Sequence, residues 1–329
     1  MMHIAFCTDK NYLMPTGVAM LSVCEQHPDV PITFHVVATV GEKASLEAYD
    51  VLRQIAEKHG KECLFYTMTE EKLSEFVVSA LSRVTTTSFS RIFLADLLPT
   101  SVEKVLYLDC DILCQGPLLG LWNTDLASQG ATIGGAIDFS SYSGWLRESL
   151  PLGLEHFYIN TGILLIDLKQ WRQEGMTEKC VACAREHQFP LLDQDVLNVM
   201  CCGRICRISS TYNMQVEFLL REERFWAIDG EGMADVRQHK EQPAILHYTT
   251  TKPWLNPELP VCLRWVECYK RSPWAGRQLV PRPVWFDYSI HYDYLRNLYW
   301  TDFELVRKTL PIYIKTIRLI QKVKRMIKK

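Results

Sequence analysis

Short apolar runs alternate with helix-like stretches along the first third of the chain. The apolar runs predict β-strands at residues 3–7, 32–37, 63–66 and 104–108. The stretches between them predict helices at residues 18–25, 43–58 and 89–98. This alternation is typical of βαβ units and a mainly parallel sheet. Ligands of such sheets bind beyond the carboxyl ends of the strands, so we expect chemistry after Cys7 and after Leu108.

The pattern changes twice further along the chain. Apolar runs at 131–137 and 158–168 each end near a polar cluster, and a helix is predicted at 193–201. Past His247, six prolines interrupt the chain between residues 253 and 283, and five of its nine tryptophans lie between residues 254 and 300. We therefore predict a main α/β domain at residues 1–255, a smaller region of helices and aromatic-rich loops at 256–306, and a terminal helix at 307–329.

Composition limits the class of protein. The chain has 329 residues, 48% of them hydrophobic and 22% charged, with a formal net charge of −2. It can bury a large core, which excludes a disordered or fibrous protein. Its apolar runs are shorter than the ~18 residues of a membrane span. The first run stops at once at Thr8, Asp9 and Lys10, unlike a secretory leader, so we expect a cytoplasmic protein.

The terminal segment differs in charge from the rest. Residues 315–329 contain seven basic residues and no acidic one, which leaves a formal charge of −9 on residues 1–314 against the total of −2. Apolar residues recur there at helical spacing, at Ile317, Ile320, Val323 and Ile327. This pattern favours a helix lying on an anionic membrane surface over a helix packed on its own domain. Nucleic acid is not expected as a partner, because no basic track with interleaved aromatics accompanies it.

The twelve cysteines are scattered through core-like runs, which is typical of a reducing compartment. One group has spacing that a structural zinc site can use, namely Cys180, Cys183, Cys201, Cys202 and Cys206. Cys180 and Cys183 lie in a helical-looking stretch, however, and no second Cys-x-x-Cys accompanies them. Buried thiols are therefore favoured over zinc.

The strongest chemical signal is a pair of carboxylates at a strand end. The run Val105 to Leu108 is followed by Asp109, Cys110 and Asp111. The two-residue period of a strand places Asp109 and Asp111 on one side. Two such carboxylates suit Mg²⁺ or Mn²⁺, which can bridge to the phosphates of a nucleotide. A loop that is acidic by chance is the alternative, since Asp-x-Asp is common.

Other nucleotide and hydrolase motifs are missing from the sequence. It has neither Gly-x-Gly-x-x-Gly after the first strand nor Gly-x-x-x-x-Gly-Lys-Ser/Thr. It also lacks Gly-x-Ser-x-Gly and His-Glu-x-x-His. Phosphates would have to be held by a metal and by basic side chains.

Seven sequence blocks together resemble glycosyltransferase family 8 in order and approximate spacing. They lie at residues 6–12, 90–99, 105–111, 133–138, 158–165, 193–198 and 247–254. The basic, aromatic C-terminal segment is most similar to that of the bacterial lipopolysaccharide galactosyl- and glucosyltransferases of this family. The resemblance implies a Rossmann-like GT-A fold, with a mixed sheet flanked by helices. It further implies a UDP-galactose or UDP-glucose donor, a glycan or glycolipid acceptor, and retention of configuration.

The resemblance also assigns roles to residues by motif. Asp109, Asp111 and His247 are expected to hold Mn²⁺ or Mg²⁺. Donor-binding roles are implied for Thr8, Asp9, Asn11, Tyr12, Arg91, Asp193 and Lys252. Catalytic roles around the donor sugar and the acceptor are implied for Gln194, Asp195, Asp138 and Asn160. Metal and lysine would stabilise the charge that develops on departing UDP.

Gln194 bears on the mechanism, because the resemblance places it near the face where a nucleophile would sit. A carboxamide is a poor nucleophile compared with a carboxylate. A front-side displacement is therefore expected, with a UDP oxygen helping to remove the acceptor proton. The structural alternative is a simple helix N-terminus that Asp193 only caps.

The segment from His247 to Lys252 departs from the family pattern. It is one position shorter than usual and has threonines at 249–251 where the family has a glycine. A glycine would let the backbone approach the diphosphate closely. We expect Lys252 still to meet the diphosphate and the threonine hydroxyls to act as substitute donors, while a strand at 244–246 delivers His247 to the same end of the sheet. Two other functions remain open from the sequence: a nucleotidyltransferase with the same carboxylate pair, and a non-catalytic nucleotide-sugar or glycan-binding protein.

Overall fold

A mixed seven-stranded sheet, covered by helices, forms the centre of the molecule. The computed structural model describes residues 1–40, 46–74, 76, 86–139, 150–152, 156–187, 189–220 and 230–279. The strands of the main sheet are β1 Met2–Thr8, β2 Ile32–Val40, β3 Glu62–Thr69, β4 Lys104–Leu108, β6 Ile133–Gly135, β7 Ile163–Asp167 and β8 Ile205–Arg207. They stand in the order β3-β2-β1-β4-β7-β6-β8.

A smaller sheet stands beside the main one. Its strands are β5 Ile112–Cys114, β9 Met214–Gln215 and β10 Ile245–His247, in the order β5-β10-β9. The helices are α1 Leu13–Gln26, α2 Asp50–Lys58, α3 Glu70–Ser74, α4 Leu94–Leu97, α5 Leu119–Trp122, α6 Leu168–Gln173, α7 Met176–Glu186, α8 Asp193–Met200, α9 Val216–Leu220, α10 Glu231–His239 and α11 Leu263–Tyr269. The alternation of strands and helices predicted for the N-terminal part is therefore confirmed.

Burial along the strands follows their position in the sheet. Strands β1 and β4 lie in the middle, with helices on both faces, and are buried along almost their whole length. The edge strand β3 alternates instead between exposed and buried positions at its start, with Glu62 and Leu64 exposed and Cys63 buried. The shortest of the four N-terminal apolar runs, at 63–66, thus belongs to the edge strand.

Several predicted boundaries were wrong. The N-terminal strands β1 to β4 pair in parallel as predicted, and β7 runs antiparallel to both β4 and β6, so the sheet is mixed, as the family resemblance implied. The predicted strand at 158–168 is a regular strand only from Ile163 to Asp167, and that at 131–137 only from Ile133 to Gly135. The two segments continue to pair through an isolated antiparallel bridge between Ile137 and Ile159, which brings polar groups towards the end of β4.

Two predicted helices are also shorter than expected. Residues 47–49 form a 3-10 turn before α2, and residues 41–45 lie outside the described residues. The predicted helix at 89–98 is a 3-10 stretch, Thr86–Phe93, followed by the single turn of α4. Helix α4 stops because Leu98, which precedes Pro99, is extended, as the proline ring requires of the residue before it.

The described start of the C-terminal region packs into the same hydrophobic cluster as β1 and α1. Trp265 is fully buried there, and Trp274 lies so close to Gly17 of α1 that a Cβ at Gly17 would approach its ring to 2.3 Å. Residues 256–279 are thus joined to the main fold by a shared core. The rest of the predicted aromatic-rich region and the basic helix at 307–329 lie outside the described residues.

Candidate active site

Three potential metal ligands meet beyond the end of β4. The ligating atoms of Asp109, Asp111 and His247 all lie within 4.8 Å of one another. His247 Nε2 is 3.2 Å from Asp111 Oδ1 and 3.6 Å from Asp109 Oδ2. Two carboxylates and one imidazole are a suitable donor set for Mn²⁺ or Mg²⁺. We call these three residues the cation cluster.

The registers of two different sheets bring the cluster together. In the main sheet Leu108 pairs with Ile163, so the next amide, that of Asp109, donates to the Gly162 carbonyl at 2.7 Å. In the small sheet His247 pairs with Ile112, beside Asp111. A strand does deliver His247 to the carboxylates as expected, but this strand belongs to the small sheet and not to the main one.

The backbone at Gly162 lies very close to the side chains of the cation cluster. A Cβ at this position would lie 2.2 Å from His247 Cε1 and 2.7 Å from Asp109 Oδ2. The space that a side chain would fill is therefore next to the ligating atoms, where a bound cation needs room. The residues present fit such an ion.

Arg91 and Tyr107 hold the first carboxylate of the cluster. Arg91 Nη2 donates to Asp109 Oδ1 at 3.0 Å, and the Tyr107 hydroxyl donates to the same oxygen at 2.6 Å. Arg91 Nε lies 3.1 Å from Asp193 Oδ2, in an ion pair that is almost fully buried. Because α8 begins at Asp193 without a side-chain cap, Asp193 is an ion-pair partner rather than the helix cap of the structural alternative.

Lys252 lies against the second carboxylate of the cluster. Its ammonium donates to Asp111, and to the carbonyls of Tyr248 and Thr249 at 2.9 Å each. Burial alone would raise the pKa of Asp111, but Lys252 and His247 outweigh it and hold that pKa well below its usual range. The structure therefore places Lys252 at the cation cluster.

Glu217 organises the short segment between His247 and Lys252. This buried carboxylate accepts hydrogen bonds from the hydroxyls of Thr249 and Thr250, and from the Thr250 amide at 3.0 Å. Both hydroxyls are thus already committed inside the protein. The expectation that the threonines act as substitute donors to a diphosphate was wrong for Thr249 and Thr250.

A second group, which we call the amide cluster, comprises Asp138, Asn160 and Gln194. Asn160 Nδ2 donates to Asp138 Oδ2 at 2.8 Å and to Gln194 Oε1 at 3.2 Å. Gln194 Oε1 also accepts from the Thr161 amide at 3.2 Å. Three residues far apart in sequence thus form one hydrogen-bonded unit.

Asp195 is linked to the amide cluster through Tyr158. It is fully buried, and its carboxylate accepts from the Tyr158 hydroxyl and from the Leu191 amide. Tyr158 accepts in turn from Gln194 Nε2 at 3.2 Å. Burial raises the pKa of Asp195 to about 6. Asp195 therefore holds the Tyr158 hydroxyl, which in turn holds the Gln194 side chain.

The four residues predicted near the nucleotide lie at the last residue of β1 and in the turn that follows it. Asp9 Oδ1 accepts from the amides of Asn11 at 2.7 Å and Tyr12 at 3.0 Å, which fixes the turn. The Thr8 hydroxyl, which is buried, is 2.8 Å from that of Thr16. The Tyr12 ring meets Trp254 edge to face, with centroids 5.7 Å apart. Tyr12 therefore adjoins the segment that carries Lys252.

The cysteine group does not form a metal site in the described structure. Four of its members are buried, and Cys202 is exposed. Among the described residues, the cation cluster is the one set of three histidine, cysteine or acidic side chains close enough to share an ion. Burial raises the pKa of Cys180, Cys183, Cys201 and Cys206, which favours neutral thiols packed as small apolar groups.

Sequence reasoning missed several residues that shape the site. These are Tyr107, Tyr158, Asn213 and Glu217. The first two lie in blocks that the sequence already pointed to, at a position two residues before a functional one. Asn213 and Glu217 follow no motif, and nothing in the sequence links them to His247 or Thr250.

Comparisons with known protein sequences identify a family. Residues 3–258 match the sequence profile of Glycosyl transferase family 8. Lipopolysaccharide 1,3-galactosyltransferase of Salmonella typhimurium is 25% identical, over 83% of this chain and 79% of that protein. Lipopolysaccharide 1,2-glucosyltransferase of Escherichia coli is 24% identical, with the same two coverages of 83% and 79%.

Solved structures give the same fold. The galactosyltransferase LgtC, in complex with donor and acceptor sugar analogs, superposes with a TM-score of 0.70 and 26% identity, over 84% of this chain and 99% of that one. The GT-A fold expected from the sequence is therefore confirmed. In the part of the chain that the structure describes, every helix is too short or too polar to cross a membrane.

Proposed function

The chain belongs to glycosyltransferase family 8, and from that premise we propose that it is a metal-dependent, retaining transferase of galactose or glucose. The donor is a UDP-sugar, and the acceptor is a glycolipid or polysaccharide such as lipopolysaccharide core. The names of the bacterial relatives support the sugar and the acceptor. The observation that carries the proposal is the pairing of the cation cluster with the hydrogen-bonded amide cluster.

In this proposal the donor lies across both clusters. Thr8, Asp9, Asn11 and Tyr12 hold the uridine, and Lys252 meets the diphosphate. When bound at the cation cluster, Mn²⁺ or Mg²⁺ supplies positive charge to the departing UDP. Lys252 adds a second positive charge at the same place, and both act where negative charge develops.

The amide cluster holds the donor sugar and the acceptor hydroxyl. Gln194 Oε1 already accepts from Asn160 and from the Thr161 amide, and a carboxamide lacks the charge of a nucleophile. These features support a front-side displacement. The bond from the anomeric carbon to UDP breaks, the acceptor oxygen bonds to that carbon on the same face, and its proton passes to an oxygen of the leaving UDP. Asp195 acts through Gln194 as a positioning residue, and Arg91 and Asp193 keep Asp109 in place.

Released UDP tests the function. Purified protein is incubated with Mn²⁺ and UDP-galactose, UDP-glucose, UDP-N-acetylglucosamine or UDP-N-acetylgalactosamine, without acceptor. We expect slow hydrolysis of UDP-galactose or UDP-glucose that chelator and Asp109→Ala abolish, while the control Asp29→Ala, at an exposed loop carboxylate, retains it. Full activity of Asp109→Ala would overturn the assigned metal role.

Other products would point to the alternative functions. Release of pyrophosphate or a nucleoside monophosphate would identify a nucleotidyltransferase. Donor binding by calorimetry without turnover on any acceptor would identify a binding protein. With an accepted sugar acceptor, the product is expected to carry an α linkage by NMR, and a β linkage would contradict retention.

We further propose that residues 256–306 form a smaller aromatic-rich region after the transferase domain at 1–255, and that residues 307–329 bind the inner face of an anionic membrane. The second proposal rests on the charge of the terminal segment, which lies outside the described residues. Such a helix would raise the concentration of enzyme near a lipid-linked acceptor. Replacing the seven basic residues within 315–329 by glutamine should abolish sedimentation with anionic vesicles and leave donor hydrolysis unchanged. Equal vesicle binding by the variant would contradict it.

A further inference from the structure

Asn213 lies between the cation cluster and the amide cluster. It is fully buried, just before β9. Its Oδ1 is 2.9 Å from His247 Nδ1, and its Nδ2 is 2.9 Å from Asn160 Oδ1. One carboxamide therefore contacts a residue of each cluster, although neither partner is near it in sequence.

The backbone determines which way this carboxamide points. The Gly162 amide, which can only donate, approaches Asn160 Oδ1 at 3.0 Å, so that atom of Asn160 must be an acceptor. The atom of Asn213 that faces Asn160 must then be the NH₂ group. Its oxygen consequently faces His247, and the reverse orientation would oppose two acceptors.

This orientation fixes the tautomer of His247. Since Asn213 Oδ1 can only accept, His247 Nδ1 must carry the hydrogen and donate to it. The other ring nitrogen, Nε2, is the one turned towards Asp109 and Asp111. A partner that holds the far nitrogen of a ligating histidine in this way sets both ring orientation and ligand strength.

The same side chain also orients Asn160. With its oxygen taken by Asn213 and Gly162, Asn160 must present its nitrogen to Asp138 and Gln194. Loss of the Asn213 NH₂ group would remove one of the two donors that define this arrangement. The donor-sugar side of the site therefore depends on it as well.

We propose that Asn213 is a positioning residue that sets the tautomer of His247 with its oxygen and the orientation of Asn160 with its nitrogen. It thereby joins cation binding to donor-sugar binding through one buried side chain. The roles given to the two clusters rest on the proposed function. The contacts of Asn213 with His247 and Asn160, from which the inference is argued, do not depend on it.

Two substitutions separate the two halves of this role. Asn213→Ala removes both contacts and should weaken Mn²⁺ binding by about 10- to 100-fold, the usual effect of losing such a partner. Asn213→Asp keeps the acceptor for His247 but opposes Asn160 with another acceptor. It should retain or tighten Mn²⁺ binding while the kcat of donor hydrolysis falls. The control Asn198→Ala removes another fully buried amide, bonded to the backbone of Ile159 and Gln194, and should leave Mn²⁺ affinity unchanged.

Mn²⁺ affinity is measured by titration without nucleotide, and folding by circular dichroism. The histidine tautomer is read from ¹H–¹⁵N spectra of ¹⁵N-histidine-labelled protein with Mg²⁺, in which the His247 signals are those lost in His247→Gln. Wild type and Asn213→Asp should show a protonated Nδ1, and Asn213→Ala should lose this single form.

Two results would overturn the inference. One is wild-type Mn²⁺ affinity and an unchanged tautomer in folded Asn213→Ala; the other is equal loss of Mn²⁺ affinity in Asn213→Asp and Asn213→Ala. If the wild type binds Mn²⁺ yet turns over none of the four UDP-sugars in any acceptor assay, the proposed function fails instead. The cation and tautomer measurements then still decide the role of Asn213.

Discussion

The Arg91 guanidinium, in the 3-10 stretch before β4, donates to the carboxylate of Asp109, the residue that follows β4, at 3.0 Å. The same guanidinium pairs with Asp193 at the start of α8 and donates to the Thr161 carbonyl at 2.6 Å. It also lies over the Tyr107 ring, 4.6 Å from the centroid. One buried cation thus ties the cation cluster to the helix that carries Gln194.

Arg91→Met is expected to destabilise the protein strongly. It leaves the buried Asp193 and the partly buried Asp109 without their cation, and breaking a buried ion pair in this way costs about 3–5 kcal/mol. Urea unfolding measures the loss. The control Arg53→Met removes the exposed ion pair with Asp50 and should cost less than about 1 kcal/mol. An unchanged urea midpoint for Arg91→Met would show that the ion pairs contribute nothing.

Gly162→Ala is expected to weaken Mn²⁺ binding. The new methyl group would collide with His247 and Asp109, at 2.2 and 2.7 Å, so the ligands must move apart. Overpacking of this kind also lowers the free energy of unfolding by about 1–3 kcal/mol. Gly276→Ala is the matched control, since a Cβ there meets nothing within 4 Å. Equal Mn²⁺ affinity in the two variants would contradict the close approach.

Asp195 should make the protein less stable as pH rises from about 4 to about 6. Burial raises its pKa from the ordinary 3.8 to about 6, helped by Asp193 and Asp138. Between these values the folded protein binds the proton more tightly than the unfolded one, so deprotonation favours unfolding. Urea unfolding of wild type and Asp195→Asn at several pH values measures this. The variant should show a smaller decrease in stability over this interval, and identical pH profiles would contradict the assignment.

Glu217→Ala is expected to raise the KM for the UDP-sugar more than it lowers kcat. The substitution removes the acceptor that holds Thr249 and Thr250, and with it the fixed path to Lys252. Glu217→Gln, which keeps one carbonyl acceptor, should lie between Glu217→Ala and wild type. Glu241→Ala, at an exposed glutamate, serves as the control. If Glu217→Ala and Glu241→Ala had the same KM and kcat, the segment that Glu217 holds would have no effect on donor binding, which would contradict the prediction.

The sequence predicted the elements that are buried in a uniform way along their length. Strand β4 is apolar along its length because helices cover both faces of the sheet, and its end could be recognised from Asp109 and Asp111. Segments that leave regular structure to build the site were harder to predict. The run at 158–168 looks like one strand, yet the regular strand covers only Ile163–Asp167, and an isolated bridge at Ile159 precedes it where Asn160 and Gly162 enter the site.

The sequence by itself determined the family, the N-terminal order of strands and helices, and the residue types at the cation cluster. These depend on local periodicity and on blocks of adjacent residues. Only the tertiary structure decided that His247 arrives on a separate small sheet, that Glu217 occupies two threonine hydroxyls, and that Asn213 joins His247 to Asn160. Each of these contacts spans more than 30 residues, and the direction of a hydrogen bond between such groups depends on strand register and on neighbouring amides.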